Sequence, residues 1–239
     1  MELILLAAGR GSRVPKKFRG HPKCLVKIKR KTILDYNSNF FKYFKKKTIV
    51  VGYKYAKLLP FIKKYKFNYI INKNYRKTNM VYSLFKMKNT TSKEIIICYS
   101  DIIFDSKIIN NIKKSKNRNY ILLKKNWLKI WKGRMEYKKI LNDAENIEIK
   151  SDKIISIGQK IIKKLPKYQY MGIIKLEFKD FLKLKKFFKK INNNKIDMTS
   201  FLNLALIKKI IKLYPLYTSK FWYEIDSGKD IKFTSKEIW

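Results

Sequence analysis

The residues best suited to chemistry lie far apart in this chain of 239 residues. Near the start, an apolar run passes into Ala8-Gly9-Arg10-Gly11, with Arg13 close behind. Glycines let backbone N–H groups approach phosphate oxygens closely, and Arg10 and Arg13 can add charge-assisted hydrogen bonds. Lys23 follows Pro22 a short loop later and can hold phosphate as a point charge. Asp101 ends the apolar stretch "CYSD", and Glu224 and Asp226 alternate in "WYEIDSG", which turns both to one side of an extended run. Isolated carboxylates of this kind suit Mg²⁺, which takes one or two of them plus water and phosphate oxygens. A glycine-bearing bend, a lysine and two separated acids are the parts of a centre for phosphoryl or nucleotidyl transfer. The spacing matches neither a Walker loop nor the dinucleotide fingerprint. A plain glycine turn and a capping or turn aspartate are the alternative readings of these pieces.

These groups need elements to carry them. A buried strand is expected over 2–7, a helix over 32–44 with its aromatics mostly on one face, and a strand in "KTIVVGY" ending at Gly52. A helix over 55–65, a strand in "FNYII", a short helix over 79–87 and a strand in "EIIICYSD" follow. A helix over 106–114 starts at a serine cap. Strands alternating with helices indicate a mostly parallel sheet with crossover helices. After about residue 119 the strands "NYILLKK", "AENIEIKS", "KIISIGQK" and "YQYMGIIKLE" succeed one another with little helix between, and Ser151-Asp152 reads as a hairpin turn. Helices return over 180–190 and 199–211. The expectation is one α/β domain, with a nucleotide-binding half to about 118 and a β-richer, acceptor-binding half from 119 to 239.

Hydrophobic residues make up 46% of the chain, enough for a sizeable core. The formal net charge is +41, from 58 Lys+Arg against 17 Asp+Glu. The lysines are spread in pairs and triplets, whereas a nucleic-acid footprint gathers on one element. We read the excess as solvated faces plus A/T-rich codon usage, with a field that attracts anionic substrates. A nucleic-acid binder and a peripheral membrane protein are the competing classes. Cys24 and Cys98 have no metal-type spacing and fit a reducing cytoplasm. His21, the sole histidine, reads as solvent-facing, and no nucleophile motif accompanies it. No stretch has the length and composition of a signal peptide or a membrane span.

"LAAGRGSR" followed by "PKCLV" resembles the L-A-A-G-x-G-x-R…P-K signature of the nucleotidyltransferase superfamily. That resemblance implies a Rossmann-like mixed sheet flanked by helices, an NTP substrate and Mg²⁺ as cofactor. It implies Lys23 and Arg13 as catalytic residues and nucleotide contacts from Leu6, Ala7, Ala8, Gly9, Arg10, Gly11 and Ser100. Asp101 and Asp226 would be the metal ligands. "NKNYRKTNMVYSL" is similar to the family's base- and phosphate-side stretch, implying Asn79 and Ser83, although Asn79 also reads as a helix cap. "NWLKIWKGR", "DAENIEI", "KIISIGQK" and "YQYMGIIKL" together resemble the 2-aminoethylphosphonate and phosphocholine cytidylyltransferases, which implies CTP and a small phosphonate or phosphate acceptor. By the same resemblance Trp127, Arg134, Asp143, Glu145, Tyr170 and Glu224 meet the acceptor and Lys160 steers it. Sugar 1-phosphates are a further acceptor class. Trp127 and Trp131 read equally as one face of a buried helix, Lys160 as a surface lysine, and Asp143 and Glu145 as one strand face or a capped turn. The branch carries an acid before the first tryptophan, where this chain has Asn126. A monomer or homodimer is expected.

Overall fold

The computed structural model describes every residue except 12–14, 16–19, 88–89, 116–117, 162–164 and 239. Among the described residues the strands are β1 (Glu2–Ala7), β2 (Lys27–Ile28), β3 (Lys31–Thr32), β4 (Lys46–Val51), β5 (Asn68–Ile71), β6 (Glu94–Tyr99) and β7 (Ile102–Phe104), then β8 (Tyr120–Lys124), β9 (Glu145–Lys150), β10 (Lys153–Lys160), β11 (Gln169–Glu177), β12 (Tyr214–Thr218) and β13 (Trp222–Glu224). The helices are α1 (Ile33–Tyr36), α2 (Ser38–Phe41), α3 (Leu59–Lys64), α4 (Met80–Phe85) and α5 (Ile108–Lys114), then α6 (Trp127–Arg134), α7 (Tyr137–Asp143), α8 (Phe178–Ile191), α9 (Met198–Ile207) and α10 (Gly228–Glu237).

A seven-stranded sheet in the order β12-β8-β11-β6-β1-β4-β5 organises the molecule, drawing strands from both halves of the chain. β11 runs antiparallel to both neighbours, and the other pairings are parallel. Every residue of β1 is buried, as a central strand covered on both faces requires. Its alternation divides the core. Ile4 and Leu6 join Val81, Phe181 and Phe201 from α4, α8 and α9 on one side. Leu3 and Leu5 join Phe40, Phe61 and Ile109 from α2, α3 and α5 on the other. From β1 the chain moves outward to β4 and β5, then returns to the opposite side of β1 as β6. That reversal opens a crevice at the carboxyl ends of β1 and β6, where open α/β sheets bind ligands.

The structure departs from the sequence reading in several places. The helix expected over 32–44 is broken at Asn37, whose side chain donates to Ile102 O (2.7 Å) and accepts from Phe104 N (3.4 Å). A buried amide facing β7 is better satisfied there than inside a helix. The helix after β7 starts at Ile108 rather than 106, and Asp105, not Ser106, accepts from the first turn at Lys107 N (2.8 Å). Two helices, α6 and α7, fill the stretch read as nearly helix-free, because Trp127, Trp131 and Ile140 must cover a small core of their own. α10 was not anticipated, although Ser227 and Asp230 form a capping box at its start. The hairpin turn at Ser151-Asp152 is present, both residues having positive φ (46° and 63°). No helix among the described residues is long and apolar enough to cross a membrane.

Asn37→Ala strands the Ile102 carbonyl in the core and should cost about 1–3 kcal/mol. Urea unfolding followed by circular dichroism measures this, and an unchanged midpoint would show the amide to be dispensable.

Candidate active site

β1 delivers the bend at Ala8–Gly11 onto the crevice. Gly11 has φ of 64°, and a Cβ there would lie 2.8 Å from Lys23 Cβ. Glycine is thus needed both for the turn and for the Lys23 stem that lies against it. Lys23 opens a 3₁₀ turn (Lys23–Leu25) anchored by buried Cys24. Its Nζ donates to Asp101 Oδ2 (2.7 Å) and also to Asp226 Oδ1. Burial works against the ammonium, but Asp101 and Asp226 more than offset it and hold Lys23 well above the usual lysine range.

The two acids meet because β7 pairs with β13, placing Glu224 opposite Ile102. Ile225 N then donates to Asp101 O (2.9 Å). Behind the charges, Val26, Ile103 and Ile225 share one apolar cluster. Each sits one to three residues from Lys23, Asp101 or Asp226, so packing of this cluster fixes where the three charges meet.

A cavity of about 250 Å³ adjoins them. Its walls bring together Leu6, Ala7, Ala8, Gly9, Gly11 and Lys23 with Asn79, Ser83, Ser100 and Asp101. Asn79 also caps α4, accepting from Met80 N (2.7 Å), so its two readings coexist. Arg10 is exposed, its guanidinium 5.9 Å from the centre of the Tyr53 ring, and does not line this cavity. Arg13 lies outside the described residues. Sequence reasoning missed Tyr75, Thr78, Met80 and Tyr99 in the wall. It also missed Asn72, fully buried, which donates to Ser83 Oγ (2.9 Å) and Thr78 Oγ1 (3.0 Å) and so shapes the loop before α4. An asparagine directly after the apolar "NYII" strand was the available signal.

Two more cavities continue the cleft. One of about 230 Å³ shares Met80 and Tyr99 with the first and is walled by Asp143, Glu145, Tyr170, Asp197 and Glu224. The other, about 860 Å³, shares Trp131, Asp143 and Glu224 with the second and adds Glu136, Asp226 and Asp230. With Asp101, eight of the chain's 17 acids line the three cavities. Of its 58 basic residues only Lys23, Arg134, Lys139 and Lys229 do so among the described residues. The cleft of a strongly basic chain is therefore rich in carboxylates.

The remaining expected residues fall into two groups. Asp143 ends α7 and Glu145 begins β9, so they share the cavity wall but not a strand face. Thr199 Oγ1 donates to Glu145 Oε1 (2.9 Å), while burial raises that carboxyl above its usual range. Trp127 is buried and donates to Pro166 O (3.0 Å) without lining any of the three cavities. Trp131, four residues on, supplies the wall instead. Arg134 is buried and bound to Glu224 and Asp230. Lys160 is exposed at the end of β10, paired across the hairpin with Glu145, and lines none of the cavities. No cluster of three or more metal-type side chains occurs among the described residues. Asp101 and Asp226 are hard oxygen donors that already share one cation, and they fit a divalent ion that draws its other ligands from water and phosphate.

Burial and the Asp226 charge push the Glu224 carboxyl up to about 7, against the opposing pull of Arg134. A carboxyl raised on folding binds its proton more tightly in the folded state, so its contribution is complete below the ordinary glutamate range and is lost as pH rises through about 7. Glu224→Gln should therefore remove a decline in melting temperature between pH 5 and pH 8. Parallel pH profiles of the two proteins would exclude this burden on the folded state.

No family model matches the chain. Individual proteins do. A CTP:phosphoglutamine cytidylyltransferase of Campylobacter jejuni is 31% identical over 255 aligned positions, covering 97% of this chain and 98% of that protein. A choline-phosphate cytidylyltransferase of Streptococcus pneumoniae is 28% identical over 117 residues, 48% of this chain and 51% of that protein. Among solved structures, an inositol-1-phosphate CTP transferase from T. maritima superposes with a TM-score of 0.77 at 18% identity, covering 98% of this chain and 95% of that one. A CTP:phosphocholine cytidylyltransferase from Streptococcus pneumoniae gives a TM-score of 0.75 at 18% identity, covering 100% and 99%. The glycine bend at the carboxyl end of β1, the lysine behind it and a relative matched over 97% of this chain at this identity lead to one conclusion: the chain belongs to the nucleotidyltransferase family.

Proposed function

We propose that the protein is a cytidylyltransferase: it transfers CMP from CTP to a small acceptor bearing a phosphate or phosphonate and releases pyrophosphate. The observation that carries this reading is the convergence of Lys23, Asp101 and Asp226 beside the glycine bend. An acceptor oxygen attacks the α-phosphorus of CTP in line, and the bond to the oxygen bridging the β-phosphate breaks. The attacking oxygen is already anionic at neutral pH, so the step needs no general base. Amides of the bend, with Arg13, would hold the β- and γ-phosphates, and Lys23 would stabilise charge gathering at the α-phosphate. Mg²⁺, held by Asp101 and Asp226, would supply further charge neutralisation when bound.

Acids along the cleft favour an acceptor with a cationic group at the end opposite its phosphorus. 2-Aminoethylphosphonate and phosphocholine have this form, whereas a sugar 1-phosphate offers those acids hydroxyl donors but no opposite charge. The two relatives by sequence, a CTP:phosphoglutamine and a choline-phosphate cytidylyltransferase, are likewise named for phosphorylated nitrogen compounds. We place the enzyme in the cytoplasm, a compartment in which the unpaired, buried Cys24 and Cys98 stay reduced.

A pyrophosphate-release screen with Mg²⁺, crossing the four nucleoside triphosphates with 2-aminoethylphosphonate, phosphocholine, phosphoglutamine and sugar 1-phosphates, should give release with CTP and an amine-bearing acceptor. Steeply salt-dependent nucleic-acid binding without pyrophosphate release would overturn the assignment. In the active pair, Lys23→Ala should lower kcat by about 10²–10³, and Asp101→Asn and Asp226→Asn should abolish turnover. Gly9→Ala gives a sharper reading of the bend. Apart from its chain neighbours, a Cβ there meets no atom of the described residues within 4 Å, so the fold should be untouched while CTP binding by calorimetry weakens. Unchanged CTP affinity would remove the bend from the nucleotide site.

A further inference from the structure

Arg134 and Asp230 border the largest of the three cavities, yet their charged groups are spent on each other and on the protein, and they are among the most buried charges in the molecule. Their side chains are 4% and 5% exposed and 2.9 Å apart. Asp230 Oδ1 accepts from Arg134, while its Oδ2 accepts from Asp226 N (3.0 Å), Ser227 N (2.7 Å) and Ser227 Oγ (2.8 Å). Arg134 Nη1 also donates to Glu224 O (2.9 Å), and its Nη2 pairs with the Glu224 carboxylate (3.2 Å). The backbone on both sides of Ile225 is thus gripped, the carbonyl of Glu224 by the arginine and the amide of Asp226 by the aspartate.

A capping box accounts for only part of this. It requires the Ser227 and Asp230 side chains and their reciprocal amides; it does not require Arg134 or the amide of Asp226. The helices carrying the pair are seated hard against each other, because a Cβ at Gly133 of α6 would overlap the Phe233 ring of α10. α6 also carries Trp131 into the cleft wall, with the Arg134 guanidinium 5.1 Å from the centre of its ring.

We propose that the Arg134–Asp230 ion pair is the positioning unit of the transfer centre: it holds the Glu224–Asp226 turn so that the Asp226 carboxylate stays on Lys23, and it ties that turn to the helix forming the acceptor wall. Neither side chain is a catalytic residue. Arg134 reaches the reaction through Glu224, and Asp230 reaches it through the backbone of Asp226. The inference rests on the transferase reading for its kinetic consequence but not for its structural one.

The test therefore has two arms, applied to Arg134→Lys, Asp230→Asn and the double variant. Arg134→Lys keeps the charge but loses the two-pronged grip, and Asp230→Asn keeps the shape but turns an amide towards the guanidinium. In the kinetic arm, each single variant should lower kcat about 10- to 100-fold with CTP affinity unchanged, and the double variant should be no worse than the poorer single one. In the structural arm, which needs no turnover, amine labelling of Lys23 is followed by peptide mass spectrometry. Labelling should rise several-fold in each variant, because Asp226 no longer stays on the ammonium. Asn119→Ala, which removes hydrogen bonds made just before β8 to Asp180 and to the Lys212 carbonyl and touches none of the three cavities, controls for simple loss of stability and should move neither readout. Wild-type Lys23 labelling in folded Arg134→Lys and Asp230→Asn would overturn the proposal, as would strictly additive losses in kcat. A wild-type protein that releases no pyrophosphate would defeat the transferase reading alone and leave the labelling arm intact.

Discussion

A lysine ammonium drawn between two carboxylates, one 78 and the other 203 residues away in sequence, is the contact on which the site depends. Removing three charges from bulk water is costly, and the cost is recovered only when they meet with good geometry. The fold supplies that geometry from behind. Val26, Ile103 and Ile225 pack together, β7 pairs with β13, and the Asp101 carbonyl receives the Ile225 amide. The tail of the chain is consequently part of the first half's binding site rather than an appendage to it. Lys23, Asp101 and Asp226 form one unit: loss of Lys23 leaves two carboxylates facing each other, and loss of either acid leaves the ammonium held from one side only.

What the sequence displayed was whatever is local. The apolar run of β1, the glycine bend, the Ser151-Asp152 turn and the strand-end Asp101 are short patterns set by backbone geometry and burial, and each appears in the chain as read. The mixed sheet flanked by helices follows from the same patterns, and the resemblance to nucleotidyltransferases named many of the residues that line the first cavity but not Tyr75, Thr78, Met80 or Tyr99. What stayed hidden depends on distant partners. Asn37 looks like one more polar position on a helix until β7 presents it with Ile102 O and Phe104 N. Trp127 and Trp131 are indistinguishable by spacing, and only the packing of α6 decides that the second faces the cleft. Arg134 was expected to meet the acceptor, but its guanidinium is engaged by Glu224 and Asp230 of the protein itself.

Charge is divided in a way that composition alone does not show. A net +41 describes the envelope, while the cleft collects nearly half of the acids. An outer field of one sign draws anions from a distance, and carboxylates at short range then favour the end of a molecule that carries the opposite charge. A zwitterionic acceptor satisfies both demands at once, and nucleic acid satisfies only the first. The abundance of lysine thus accords with a small-molecule enzyme whose cavities take in few of those lysines.

The β9–β10 hairpin forms its own two-stranded ladder, outside the order of the seven-stranded sheet, while Glu145 at its base faces the cleft. Residues lining the first cavity are rooted in the sheet, its immediate loops and α4, whereas part of the second cavity's wall belongs to a hairpin resting on α9 through the Thr199–Glu145 bond. Such a division makes that part of the wall an exchangeable fitting. Side chains on that hairpin can be recut for a different cargo while the strand ladder of the seven-stranded sheet stays as it is.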